Sequence, residues 1–254
     1  MSILRFTQGY RTRWLSVSCA MWLVLVPAHA QQARPKSAGN ISCLIQPSQE
    51  VNVGTPVDGV LETVNVDRGD LVSPGQLLAR LNAGVESAAV DFQSAKAEFG
   101  ARKHARSAEL QRKQLISTQE FDELETEHKL SQLELRQRRE QLKLRSIVSP
   151  IKGVVVDVYR HRGDLVRQEK IFRVVQLHPL HVETVLPASL FGKLRVDQVS
   201  DVTPELGKGP LKAKIIQIDR VIDAASGTFR VRLLLQNPRL EIPPGQRCAI
   251  NFPL

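Results

Sequence analysis

"RGDLV" at Arg68–Val72 returns as "RGDLV" at Arg162–Val166, 94 positions later. An Arg-Gly-Asp tripeptide alone suggests a cell-adhesion ligand, but the likeness is longer than the tripeptide. Shifted by 94, Pro56–Arg80 aligns without a gap on Pro150–Val174, with nine identities in twenty-five positions. Pro56, Gly59, Val60 and Val64 meet Pro150, Gly153, Val154 and Val158, and the two pentapeptides supply the rest. Each copy reads as strand, turn, strand: Pro-x-x-Gly, a Val-rich run, then Arg-Gly-Asp before Leu-Val. Gly69 and Gly163 supply the positive φ such turns need, and the following Asp bonds its own backbone. The two turns are therefore expected to be equivalent parts of one pseudo-symmetric unit, with neither offered as an adhesion ligand.

Units this short cannot each enclose a core, but two facing each other make a small sandwich. "GTPVDGVLETVNVDRGDLVSPGQLLARL" and "SPIKGVVVDVYRHRGDLV" each resemble half of a biotinyl/lipoyl domain. In such carriers a tight hairpin bearing the modified lysine joins the halves. Here some sixty residues stand at that junction, with no Met-Lys-Met or Asp-Lys-Ala. The resemblance thus implies the fold without the carrier function, and no cofactor is expected.

The insertion, Val85–Arg145, has no proline, and Gly100 is its only glycine. Good helix formers dominate it. Val85, Ala88, Phe92, Ala95 and Phe99 form a heptad-like stripe on the first helix, expected to face the second. The second offers Phe121, Leu124, Leu135 and Leu142, interrupted by His128, Ser131 and Arg138. So imperfect a seam suits an antiparallel hairpin better than a free coiled coil. Ser117-Thr-Gln-Glu120 is a capping box, with Ser117 as N-cap and Glu120 reaching back. It leaves arms of roughly 28 residues, each about 40 Å long.

The stretch "RSAELQRKQLIS" at the turn fits Arg-x3-Leu-x6-Ser through Arg106, Leu110 and Ser117. It resembles the hairpin-tip motif of periplasmic adaptors (membrane fusion proteins) of tripartite efflux pumps, of the haemolysin-secretion D type. That resemblance implies docking to an outer-membrane channel of the TolC type. Arg106 would bond groups at the channel mouth, Leu110 fill an apolar notch, and Ser117 fix the turn and contact the partner. The plainer alternative leaves Arg106 solvated, Leu110 in the seam and Ser117 as a cap. The family also implies an inner-membrane transporter partner, of RND or ABC class, and a homo-oligomeric ring, expected to be hexameric.

Beyond Leu177 short strands alternate: Val182–Leu186, a helical stretch Ala188–Leu194, then runs near Gln198–Val202 and Leu211–Ile218. Phe229, Val231, Leu233 and Leu235 share one face, as do Cys248, Ile250 and Phe252. Asp223, Ser226, Thr228, Val231, Arg232, Asn237, Pro238, Pro244 and Gly245 follow the order of the adaptor family's β-barrel signature. In that family the first strand joins the barrel, and Ile41–Gln46 is the stretch expected to do so. A membrane-proximal domain, which many such adaptors carry, is not matched before Leu254.

Arg5, Arg11 and Arg13, the apolar run Trp14–Val26 and Ala28-His29-Ala30 read as a signal peptide cleaved after Ala30. Cys19 lacks the leucine three residues earlier that a lipoprotein signal carries, since Ser16 stands there. Losing three arginines lowers the net charge from +9 to +6, scattered too widely for nucleic-acid binding. Cys43 and Cys248 remain, in a compartment that permits disulfides. A bridge pinning the first strand to the last is expected, against the alternative of two separately buried thiols. No catalytic constellation and no metal site is expected. His178 and His181 flank Pro179, with no helix face to hold both rings.

The expected architecture is mixed β and α, and elongated. It comprises a signal peptide (1–30), a linker with the first barrel strand (31–49), and a split lipoyl-like sandwich (50–83 plus 147–178). An inserted helical hairpin (84–146) and a β-barrel (179–254) complete it. The expected role is a non-enzymatic periplasmic adaptor. A secreted binding or adhesion module on the same scaffold is the alternative.

Overall fold

The computed structural model describes residues 40–253, residue 208 apart. The signal peptide expected at 1–30 lies outside the described residues. The first strand, β1 (Ile41–Gly54), alternates inward at Cys43, Ile45 and Val53 and is longer than the Ile41–Gln46 expected. There follow β2 (Gly59–Val64), β3 (Leu71–Val72), β4 (Leu77–Leu81), α1 (Gly84–Arg112), α2 (Thr118–Lys143) and β5 (Ser146–Val148). Then come β6 (Gly153–Val158), β7 (Leu165–Val166), β8 (Lys170–Pro187), one 3₁₀ turn (Ala188–Leu190), β9 (Val199–Pro204), β10 (Leu211–Ile218), β11 (Thr228–Leu235) and β12 (Arg247–Asn251). The helix expected over Ala188–Leu194 is thus a single tight turn.

Strands β1, β12, β9, β10, β11 and β8 pair in that order, and β8 pairs back onto β1. Closure removes the exposed edges an open sheet would carry. The barrel is filled by Ile45, Leu180, Val182, Leu186, Ile215, Leu233 and Ile250, among others. A second core, with Leu61, Leu78, Leu81, Val155, Ile171 and Phe172, fills the sandwich. One of its sheets is β5-β4-β2-β7; the other is β3 and β6 on the outer stretches of β8 and β1. β1 and β8 therefore serve both cores, their mutual register shifting between Pro47 and Gln49. The boundaries expected at 49/50 and 178/179 both fall inside these two strands.

The 94-residue repeat is visible in the bonding. The Gly69 N–H donates to Val155 O and the Gly163 N–H to Leu61 O, both at 2.8 Å. Leu61 and Val155 are themselves 94 apart, so each turn is held by the other half. Gly69 has φ 97° and Gly163 φ 92°. Asp70 Oδ2 accepts from the Asp67 N–H (2.7 Å) and Asp164 Oδ2 from the His161 N–H (2.9 Å). Both Arg-Gly-Asp carboxylates are thus engaged inside their own turns.

Leu81 and Arg145 set the phase of the helical hairpin, because the Leu81 N–H donates to Arg145 O at its base. The Arg145 guanidinium also bonds Glu86 on α1 and, at 2.8 Å, the carbonyl of Asp58 in the sandwich. On α2, Phe121, Leu124, His128, Leu135 and Leu142 are half-buried and Ser131 is buried, so that row meets α1. On α1 the expectation fails. Val85, Phe92 and Phe99 are 80%, 73% and 55% exposed, and Ala88 and Ala95 are exposed too. The residues that α1 turns to α2 are Gln93, Ala97, Gly100, His104 and Ser107, mostly small or polar. A Cβ on Gly100 would stand 3.1 Å from Ser131 Oγ, which shows how closely the helices approach. Gln93 Nε2 donates to Glu134 Oε2 (2.7 Å), and His104 and His128 stack at 5.3 Å. Lys96–Glu134 and Lys103–Glu127 cross the hairpin at 2.8 Å. Hydrogen bonds from these lysines hold both carboxyls below their ordinary range.

Candidate functional site at the hairpin tip

The tip is built by two caps set back to back. At the end of α1, the Gln114 N–H donates to Gln111 O and the Leu115 N–H to Leu110 O, both at 2.9 Å. Those two bonds define a Schellman motif with Lys113 as C-cap and Gln114 in the left-handed region at φ 60°. The motif brings Leu110 and Leu115 to the positions where an apolar contact usually accompanies it. At the start of α2, Ser117 is extended (φ −73°, ψ 156°) and its Oγ accepts the Glu120 N–H at 3.1 Å. The return bond from the Glu120 side chain is not formed among the described residues. Glu120 instead adds a negative charge to the first turn of α2, where the helix dipole favours it. Ile116 and Phe121 occupy the hydrophobic-staple positions around this cap, both half-buried.

Arg106 and Leu110 lie on successive turns of α1, and Ser117 opens α2, so the fold gathers all three at one end of the hairpin. Arg106 is exposed and makes no ion pair among the described residues, whereas its neighbour Lys113 is tied to Glu109 at 2.7 Å. Leu110 is 41% exposed, and Leu115 at 66% is more so. Leu115 was not singled out by sequence reasoning. The available signal was an apolar pair, Leu115-Ile116, immediately ahead of a capping serine. The arrangement offers two exposed guanidiniums without an ion pair among the described residues, Arg106 and Arg112, an apolar knob of two leucines and a turn locked at both sides. Exposed charge and exposed apolar surface on a capped turn suit recognition of a partner surface.

Elsewhere, the family-signature residues have structural work. Asp223 Oδ1 accepts from the Ala225 and Ser226 N–H groups and the Ser226 hydroxyl, which holds its carboxyl below the usual value. Asn237 is buried; its side chain donates to Leu177 O and Ile242 O and accepts from the Ile242 N–H. The Asn237 N–H donates to His178 Nδ1 at 3.1 Å, which ties this ring into the junction between barrel and sandwich. Cys43 and Cys248 are directly opposed in the β1–β12 register and joined by a disulfide. Among the described residues no group of three potential ligands could hold a metal ion, and no helix is long and apolar enough to cross a membrane.

The model of the CzcB-like barrel-sandwich hybrid domain matches residues 49–176, the split sandwich with its hairpin. The chain belongs to this family. Among relatives of the CzcB-like chain, multidrug resistance protein MdtA of Escherichia coli is 28% identical over 247 residues, 85% of this chain and 58% of the relative. Multidrug resistance protein MexA of Pseudomonas aeruginosa is 24% identical over 208 residues, 74% of this chain and 54% of the relative. The chain thus spans just over half the length of these relatives. A MacA–MexA chimeric protein carrying the Pseudomonas aeruginosa MexA α-hairpin shares the fold. Its TM-score is 0.72 at 21% identity, covering 84% of this chain and 77% of the other. The membrane fusion protein Spr0693 of Streptococcus pneumoniae does so with a TM-score of 0.66 at 17% identity, covering 84% and 97%.

Proposed function

We propose that this CzcB-like protein is a periplasmic adaptor of a tripartite efflux or secretion system. It joins an inner-membrane transporter, of RND or ABC class, to an outer-membrane channel of the TolC type. The observation that carries the reading is the tip. A capped, rigid turn displays a free Arg106 and exposed Leu110 at the end of an α1 of 29 residues, about 44 Å from the sandwich. An isolated sandwich has no use for such an arm, whereas a bridge between two membrane proteins does. Relatives named multidrug resistance proteins support the efflux context. One copy cannot enclose a conduit, so the working form is a ring, taken as a hexamer. Export through the N-terminal signal delivers the chain to the periplasm. The adhesion alternative is weaker, since both Arg-Gly-Asp carboxylates are occupied by their own turns.

The test is efflux in cells carrying Arg106→Asp, Leu110→Ser or Ser117→Pro, with export and folding checked in parallel. Each variant is expected to abolish efflux with the protein still present and folded. Photo-crosslinking from position 110 is expected to capture an outer-membrane channel. Normal efflux in all three variants, or capture of other partners only, overturns the docking assignment.

A further inference from the structure

Leu115 has no use inside the hairpin that explains its exposure. The Schellman end of α1 sets it where an apolar contact with Leu110 is usual, yet the two remain 66% and 41% exposed. Between His104 and Glu127 they are the large apolar side chains left exposed among the described residues. The apolar clasp of the α2 cap is supplied separately, by half-buried Ile116 and Phe121. A polar residue at 115 would close the same turn, because backbone groups make both of its bonds, Leu115 N–H to Leu110 O and Gln114 N–H to Gln111 O. The fold alone therefore gives no reason for a leucine there.

The backbone around Leu115 is already ordered. Gln114, one residue earlier, is fixed in the left-handed region at φ 60°, and Ser117, two residues later, accepts the Glu120 N–H at 3.1 Å. A side chain presented from a preset turn loses little further freedom on docking. Its chain neighbours Lys113, Gln114, Ser117 and Gln119 are polar and exposed. An apolar centre within a polar surround is the anatomy of an interface anchor. The pattern Arg-x3-Leu-x6-Ser leaves position 115 unspecified, so the residue there can differ between hairpins that share the pattern.

We propose that Leu115 is a second apolar anchor of the tip and the residue that selects the channel. It enters an apolar pocket of leucine size at the channel mouth, with Leu110 packed against its flank. Arg106 and Arg112, exposed and without ion pairs among the described residues, meet carbonyls or carboxylates on the pocket rim. The proposal rests on the docking reading and adds the partner's chemistry to it: one aliphatic-lined pocket ringed by hydrogen-bond acceptors.

The test uses the full chain in producing cells, with a photo-crosslinking residue in place of exposed Gln119 and the captured channel identified by mass spectrometry. Leu115→Ser is expected to lower channel capture by at least about tenfold, as Leu110→Ser does, with the chain still folded by circular dichroism. Leu115→Met, close in volume, should keep more than about half of the capture. Leu115→Trp preserves an apolar contact to Leu110 but overfills the pocket, and should lose capture as Leu115→Ser does. Undiminished capture with Leu115→Ser, beside loss with Leu110→Ser, overturns the role of Leu115 and leaves channel docking standing. Undiminished capture with Leu115→Trp replaces the pocket with a flat contact and overturns the selection by size. A loss with Leu115→Met equal to that with serine removes apolar fit as the cause. Absence of channel capture by the chain with Leu110 and Leu115 intact overturns the docking reading, and this proposal with it.

Discussion

Gly59 and Gly153 are equivalent in the repeat, yet replacing each with alanine should have unequal consequences. A Cβ on Gly153 would stand 2.4 Å from Val175 O, 2.9 Å from Val175 C and 3.1 Å from Val174 Cγ1. The first two are backbone atoms of β8, the strand on which β6 is registered through Val154–Val175 and Val155–Val174. Relief requires β6 and β8 to part, in a strand that both cores share. Forcing extra volume into a packed site costs about 1–3 kcal/mol, and a backbone obstacle places Gly153→Ala near the top of that range, at about 3 kcal/mol. At Gly59 the nearest atom is Arg145 Nη1 at 2.8 Å, the end of a flexible side chain, with Leu81 Cδ1 next at 3.3 Å. Arg145 Nη1 can turn off Asp58 O while Nη2 keeps Glu86, at the loss of one bond from a charged donor, about 1.5 kcal/mol. Urea unfolding followed by circular dichroism measures both. With a urea dependence of about 3 kcal/mol/M, Gly153→Ala should lower the midpoint by about 1 M and Gly59→Ala by about half of that. Equal shifts, or a loss below about 1 kcal/mol for Gly153→Ala, would refute the argument from close backbone approach.

Cys43→Ala with Cys248→Ala should lower stability by up to about 5 kcal/mol, the chain-entropy ceiling for a separation of 205 residues. Alkylation of the unfolded, unreduced wild type should add no label, and uptake of two labels would disprove the bridge. Gln114→Gly should stabilise the tip by about 1 kcal/mol, because glycine adopts the left-handed conformation there without the side-chain penalty. A lower unfolding midpoint would contradict the cap assignment. Burial, with Arg232 nearby, pushes the His181 imidazole below its ordinary value of 6.5. The unfolded state therefore binds the proton more readily. The contribution of neutral His181 is complete above about pH 6.5 and is lost as pH falls through the lower folded value. His181→Gln should accordingly flatten the decline in unfolding free energy between about pH 7 and about pH 5. An unchanged decline would clear His181 of the effect.

Local chemistry makes much of this molecule legible in its sequence alone. Gly69 and Gly163 mark turns because few other residues accept their φ. Ser117 marks the start of α2 because its hydroxyl answers an orphan N–H. The gapless offset implies that the halves share one sandwich, and the helix-forming insertion implies a hairpin whose tip carries Arg106 and Leu110. The Schellman end of α1 is not legible, since Gln114 is an unusual occupant of a left-handed position and local composition gives no warning of it. The length of β1 and β8 is not legible either. A strand persists as long as partners extend beside it, and those partners are far away in sequence or belong to another sheet. The seam of α1 shows the limit most plainly. Its period is readable, but two rows share that period, and the more apolar one is not the one used. The choice belongs to the base of the hairpin, where Leu81, Arg145 and Glu86 fix the rotation of α1. Rotational phase is set by non-local bonds and cannot be read from a helix's own residues.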